Sequence, residues 1–202
     1  ECIVISGMPI HPKWTASLPP REKICRTWLL PSDRPIVLLS GGTDFTCGPI
    51  VKIARGLAEQ CPQACIVVLG GRNKKLLGKL STLPETRDGR IFPQGFTDRL
   101  PELAEIASIM VTKAGGLITA ECLAKRMPMI FLRPVPGQEE GNATFFTQQG
   151  AGRITCNSND AVRNVADLLN TPDALREMSE AAGRLYQPGE STITEMILGA
   201  SA

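Results

Sequence analysis

One histidine in 202 residues, no apolar run long enough for a membrane span and almost no excess of either charge define this chain by what it leaves out. Crossing a bilayer takes about 20 consecutive apolar residues, so no segment reads as a transmembrane helix. The net charge of +2, from 22 basic and 20 acidic residues, excludes a broadly basic nucleic-acid surface. It leaves room for a local cationic patch, densest at Arg72, Lys74, Lys75 and Lys79. The one histidine, His11, stands between Ile10 and Pro12 in a proline-containing stretch and reads as a linker residue rather than a catalytic base. Seven cysteines at irregular spacing, Cys61 and Cys65 among them, fit neither a zinc pattern nor an even disulfide framework. Buried, reduced thiols in a cytosolic protein are expected instead. Neither G-x-G-x-x-G nor G-x-x-x-x-G-K-[ST] occurs, so the usual dinucleotide site and the P-loop both lack their fingerprints. Glu1 is not an initiator methionine and opens no signal-like segment, so a piece of something longer is expected.

What is present is enough apolar material, 43% of residues, for one full core. Runs rich in Val, Ile and Leu alternate with helical patterns, which predicts a parallel sheet covered by helices on both faces. A short strand is expected over 2–5, then a linker over 6–13 whose prolines exclude helix, and a short helix over 21–29. Strands are expected over 36–39 and 65–69, with a short third strand ending at Ile91 and Phe92. Further strands fall over 109–111, 129–132 and 150–155. Helices are expected from Pro49 to about 60, over 73–83, over 98–107, from the glycines at 115–116, and from about Asn142 to 149. The stretch 158–198 reads as mostly helical, broken near Pro172 and Pro188. The fold class is therefore α/β, an open, Rossmann-like, doubly wound parallel sheet.

Such sheets bind ligands at the carboxyl ends of their strands, and five suspicious loops fall there: Gly41-Gly42-Thr43, Gly70-Gly71-Arg72, Gly95-Phe96, Ala114-Gly115-Gly116 and Pro136-Gly137-Gln138. The stretch from Thr112 to Phe146 is the most informative. After Thr112 and Lys113, glycines 115 and 116 let backbone N–H groups approach a diphosphate, and the helix that starts there offers its positive end. Glu121 lies about one turn further on. The stiff loop Pro136-Gly137-Gln138-Glu139, running on to Asn142, can hydrogen-bond sugar hydroxyls. For Gly70 and Gly71 a packing role is the better reading.

The combination of GMPI near the start, GRNKKL, QGF, TKAGGL with Glu121, and PVPGQEEGNATFF resembles the C-terminal half of glycolipid-forming glycosyltransferases. These are the bacterial diacylglycerol glucosyltransferases and the monogalactosyldiacylglycerol synthases, and the resemblance covers 7–151. It implies the C-terminal half of a two-domain GT-B fold, with 1–20 as interdomain linker and end of a missing N-terminal domain and 21–202 as the donor-binding domain. It implies that backbone groups around Phe96 bind uracil and that Glu121 holds the ribose hydroxyls, as a carboxylate can for a vicinal diol. Amides of Gly115, Gly116 and Leu117 would bind the diphosphate, faced by Gly42 and Thr43. Gln138 and Glu139 would contact the hexose, with Asn142 supporting the loop or the sugar. Ile118 stands where relatives often have threonine, so Thr119 is the alternative source of a hydroxyl to phosphate. Lys113 could offset diphosphate charge.

The implied reaction is transfer of glucose or galactose from a UDP-sugar to diacylglycerol or a related lipid. No catalytic residue is expected in this chain, since the acceptor-activating group belongs to the missing domain. No cofactor is expected, and no Asp-x-Asp stands near the site to hold a phosphate-bridging metal. The expected place is the cytoplasm, peripheral on the inner face of the membrane, with no nucleic-acid partner. Two rivals remain: a UDP-sugar 2-epimerase, disfavoured by the scarcity of histidine, and a nucleotide-binding module inactive without its partner domain.

Overall fold

Strands that are apolar on both sides can be satisfied only by helices above and below them, and this chain builds that arrangement. The computed structural model describes residues 4–41 and 50–199. Among them a six-stranded parallel sheet runs in the order β3-β2-β1-β4-β5-β6. The strands are β1 (Ile36–Ser40), β2 (Cys65–Gly71), β3 (Ile91–Gly95), β4 (Ile109–Thr112), β5 (Met129–Phe131) and β6 (Gly152–Ile154). Alternate side chains divide the core in two. Ile36, Leu38, Val67, Met110 and Phe131 face one helical layer, made of α1 (Arg21–Trp28), α5 (Leu100–Ile106), α6 (Gly116–Ala124), α7 (Gln138–Gln148) and part of α9 (Pro172–Leu185). Val37, Leu39, Val68, Val111 and Ile130 face the other, where α2 (Ile50–Gln60) and α8 (Ser158–Asn170) supply Ile53, Leu57, Val162 and Val165.

The two rims of the sheet differ. At the amino ends, guanidinium groups close the rim onto backbone carbonyls: Arg21 donates to Ser32, Arg34 and Ile106, and Arg34 donates to Pro62, Gln63 and Ala64. At the carboxyl ends the chain turns directly into helices. The order reverses between β1 and β4, so the crevice expected of a doubly wound sheet opens above those two strands.

Several expectations need correction. β3 begins at Ile91 and runs through Gly95, because Phe92, Pro93 and Gln94 pair in register with Val67, Val68 and Leu69. Gly70 and Gly71 lie inside β2, not in a loop. Val4 and Ile5 are not in a strand, and Cys2 lies outside the described residues. Pro12–Trp14 forms a single 3₁₀ turn within or beside the stretch read as non-helical, since a proline at the first position loses no hydrogen bond. Ile10 and Trp14 are buried in the core. The distal helical stretch divides as expected, with α10 (Gly189–Gly199) following Pro188. Of the five described cysteines, Cys25, Cys61, Cys65 and Cys122 are buried and Cys156 is exposed, all as free thiols.

The β5–β6 pairing leaves no room for a side chain at Gly152, where an added Cβ would stand 2.5 Å from a Phe131 ring carbon and 3.1 Å from the Met129 carbonyl oxygen. Gly152→Ala should therefore lower stability by about 1–3 kcal/mol, read as a shift of the urea unfolding midpoint. An unmoved midpoint would mean that β6 does not pack against Phe131 in this way.

Candidate functional site

β4 ends at the buried Thr112, and the chain passes Lys113 and Ala114 into Gly115, which caps α6 in an extended conformation (φ −71°, ψ 145°) with no side-chain hydrogen bond. The first N–H groups of α6 have no partner within the helix, and the dipole of its nine residues adds positive character there. Gly115 and Gly116 are half-buried and Leu117 is exposed, so these amides are open to an anion. Thr119 does not join them. Its hydroxyl is engaged by the carbonyls of Gly115 and Gly116, each at 2.9 Å, which turns it away from the terminus.

The polar stretch after β5 is helical from Gln138, so Gln138, Glu139 and Asn142 stand on the first turns of α7 and not in a loop. Glu139 and Glu140 favour this start by facing the positive end of the helix. Gly137 enters it at φ 105° and ψ −132°, a conformation that a side chain would strain. The result brings α7 onto the glycine turn of α6. Asn142 Nδ2 donates to the Ala114 carbonyl at 2.9 Å, which gives Asn142 the loop-supporting contact. Lys113 Nζ lies 3.4 Å from Glu139 Oε1, and the other Glu139 oxygen accepts from the Val135 amide at 3.4 Å. Gln138 Nε2 comes within 3.6 Å of where a Cβ on Gly116 would stand. Pro136, Gly137 and Gln138 are exposed on the same rim.

Glu121 sits five residues beyond Gly116, roughly 140° further round the helix, and faces the Pro12–Trp14 turn. Burial pushes its carboxyl from the ordinary 4.5 up to about 7, against the opposing pull of a hydrogen bond from the Trp14 indole and of the Lys13 charge. Phe96, just past β3, is 64% exposed as a residue, with the Arg72 guanidinium stacked 4.3 Å from its ring centre. The loop after it is braced by Arg99, whose guanidinium donates to both Glu102 oxygens at 2.7 and 2.8 Å.

The structure thus gathers Thr112, Lys113, Gly115, Gly116, Gln138, Glu139 and Asn142 into one cluster. Leu117 and Glu121 lie beside it along α6. Phe96 stands apart, at the end of the edge strand, and Gly42 and Thr43 lie outside the described residues. Met8, Lys13 and Trp14 border the cluster and were missed by sequence reasoning, although two bulky apolar residues, Ile10 and Trp14, signal a segment that must be buried. A concavity of about 540 Å³ around Leu123, Arg126 and Arg184 lies at the opposite end of α6 and shares none of these residues. Among the described residues there is no group of three metal-ligating side chains and no helix long and apolar enough to cross a membrane.

Residues 50–194 match the model of the glycosyltransferase family 28 C-terminal domain. The chain belongs to this family. The chain is 33% identical over 178 residues to a processive diacylglycerol beta-glucosyltransferase of Staphylococcus saprophyticus, covering 88% of the chain and 45% of that protein. It is 29% identical over 191 residues to the protein of the same name from Bacillus subtilis, covering 95% and 50%. The chain therefore spans about half the length of these relatives. In fold it matches WaaG, a glycosyltransferase involved in lipopolysaccharide biosynthesis, at a TM-score of 0.68 and 16% identity over 96% of the chain and 55% of that structure. It matches UDP-GlcNAc 2-epimerase from Neisseria meningitidis bound to UDP-GlcNAc at 0.67 and 17%, over 88% and 48%. The parallel sheet with helices on both faces is the expected C-terminal half of a GT-B fold.

The raised Glu121 pKa has a stability consequence. Folding takes up a proton here, so the favourable contribution is complete below about pH 4.5, is lost as the pH rises to about 7, and stays lost above. Glu121→Gln should stabilise the protein at pH 8 by an amount on the order of 1–3 kcal/mol and change little at pH 5, in thermal scans at the two values. Equal effects at both would mean that the carboxyl is not held in a desolvated site.

Proposed function

We propose that this domain binds a UDP-sugar for hexosyl transfer to diacylglycerol or a glycosylated relative of it. The observation that carries the reading is the open N-terminus of α6 at Gly115 and Gly116, with Gln138 from a second helix start poised beside it and a half-buried carboxyl, Glu121, further along the same helix. Amides of Gly115, Gly116 and Leu117 take the diphosphate, Glu121 accepts from the ribose hydroxyls, backbone around Phe96 holds the uracil, and Gln138 and Glu139 meet the hexose. Lys113 neutralises charge between Glu139 and the phosphates. The names of the relatives support glucose over galactose and a diacylglycerol acceptor.

In the transfer, the bond between the sugar's anomeric carbon and the β-phosphate oxygen breaks as a bond to the acceptor hydroxyl oxygen forms. UDP leaves with the electron pair, and the hydroxyl proton goes to a base outside this chain. Charge growing on the leaving diphosphate is met by amides already oriented at the α6 terminus, where stabilisation lowers the barrier most. This arrangement calls on no metal. Contact with the membrane is peripheral, with Lys74 and Lys75, both exposed on α3 (Lys74–Ser81), near anionic lipid. The epimerase reading keeps the same nucleotide pocket but requires acid and base groups around the sugar.

Calorimetric titration with UDP, ADP, UDP-glucose and UDP-galactose tests the reading. Uridine ligands should bind and ADP should not, and Glu121→Ala should weaken UDP-glucose by about 10–100-fold, the loss of charge-assisted hydrogen bonds worth about 1.5–3 kcal/mol. Because the ribose needs the ionised carboxylate, affinity for UDP-glucose should be flat above about pH 7 and fall as the pH drops below it. Equal binding of ADP and UDP, or indifference to Glu121→Ala, would sink the assignment.

A further inference from the structure

Residues 8–14 run along the rim of the donor site, and nothing in the reading above uses them. The segment is held at both ends. Gly7 lies against Gly189, close enough that a Cβ there would meet the Gly7 carbonyl oxygen at 2.5 Å, while Trp14 is only 4% exposed in the core that also holds Cys122 and Leu123 of α6. Between these anchors the chain makes three contacts with the site. Met8 Cε stands 3.2 Å from a Cβ built on Gly116, at the start of α6. Lys13 Nζ donates at 2.7 Å to the carbonyl of Asp98, in the loop that follows Phe96. The Trp14 indole lies close enough to the Glu121 carboxyl to act on it as a donor and favour its ionised form. The turn that presents Lys13 and Trp14 is itself capped, since His11 Nδ1 accepts from the Lys13 amide at 3.2 Å.

We propose that residues 8–14 form a third wall of the donor site, in which Trp14 and Lys13 are positioning residues that hold the ribose carboxylate of Glu121 and the base loop after Phe96 at one fixed spacing. The proposal rests on the UDP-sugar reading and adds to it a segment outside the glycine turn and the α7 terminus.

The chemistry is consistent with the geometry. A carboxylate has about four acceptor positions, so one indole donor orients Glu121 and leaves the others for a vicinal diol. Lys13 spends a hydrogen bond on the Asp98 carbonyl but keeps its full charge, which favours the ionised form of the neighbouring carboxylate. The charged and titratable groups around Glu121 are Lys13 from the turn and Cys122 from α6, whose thiol is pushed up by burial and stays neutral. A phenylalanine at 14 would fill most of the same space but could not donate.

The test is UDP-glucose titration from pH 5.5 to 8.5 on the parent protein and on Trp14→Phe, Lys13→Met and Lys13→Arg, with a thermal scan of each. Trp14→Phe and Lys13→Met should each weaken binding at pH 7 by about 3–10-fold, the worth of one hydrogen bond, and move the pH midpoint of binding upward. Lys13→Arg should restore most of the loss. Folded variants with unchanged affinity and midpoint overturn the proposal. So does a fall in melting temperature with the midpoint unmoved, which marks Trp14 as packing alone. Lys13, which is only half-buried, keeps the test open if Trp14→Phe fails to fold. Absence of uridine binding by the parent protein overturns the donor-site reading itself, and this proposal with it.

Discussion

Everything in this domain follows from a sheet whose strands are parallel and buried on both faces. Parallel neighbours need crossovers, the crossovers are helices, and each helix that follows a strand begins at the same rim with its first amides unpaired. A core dominated by Val, Ile and Leu cannot satisfy those amides. They must be met by water, by caps or by a ligand. At α6 the N-cap is Gly115, with no side-chain hydrogen bond to the first amides, and the next helix start, at Gln138, is drawn onto the same turn by Asn142 reaching the Ala114 carbonyl. The carboxyl-end rim at α6 is a place where the fold leaves polar groups open.

The opposite rim shows the contrast. There Arg21 and Arg34 spend their guanidinium donors on backbone carbonyls, which ties the amino ends of the sheet and the connections beneath them into one rigid base. A closed base and an open top suit a domain that must hold one rim in place for a ligand. Glu121 shows the cost of that arrangement, because a carboxylate in a partly desolvated position works against folding at neutral pH, and the Trp14 indole and the Lys13 charge offset this only in part. In the proposed complex the ribose diol supplies further donors, which ties the stability of the domain to its occupancy.

The strands were legible because two-faced burial demands unbroken apolar runs, as over 36–39 and 109–111. The glycine turn at 115–116 and the position of Glu121 were legible because motif and periodicity coincide there. Gln138 to Asn142 misled because glycine, proline and amide residues are the usual marks of a loop, whereas here Glu139 and Glu140 stabilise the first turn of α7 and Ala143 and Phe146 supply its buried face. The edge strand β3 was misplaced because Pro93 and Gly95 interrupt its pattern, and an edge position tolerates both. Residues 8–14 were read as a linker because local signals report only what a segment cannot be, and its burial depends on α6 and on the backbone at 187–189 arriving beside it.

The α/β class, the two-sided core and the glycine turn at the start of α6 were readable from the sequence, since each depends on composition, spacing or the conformational freedom of one residue type. The tertiary structure alone decided that the switch point falls between β1 and β4, that α7 starts against the glycine turn, and that Lys13 reaches the carbonyl of Asp98 across 85 positions of chain. The physical reason is that side-chain periodicity is a local property of the backbone. Which open amide meets which carboxylate depends on contacts between elements far apart in the chain, and those are selected only when the whole core packs.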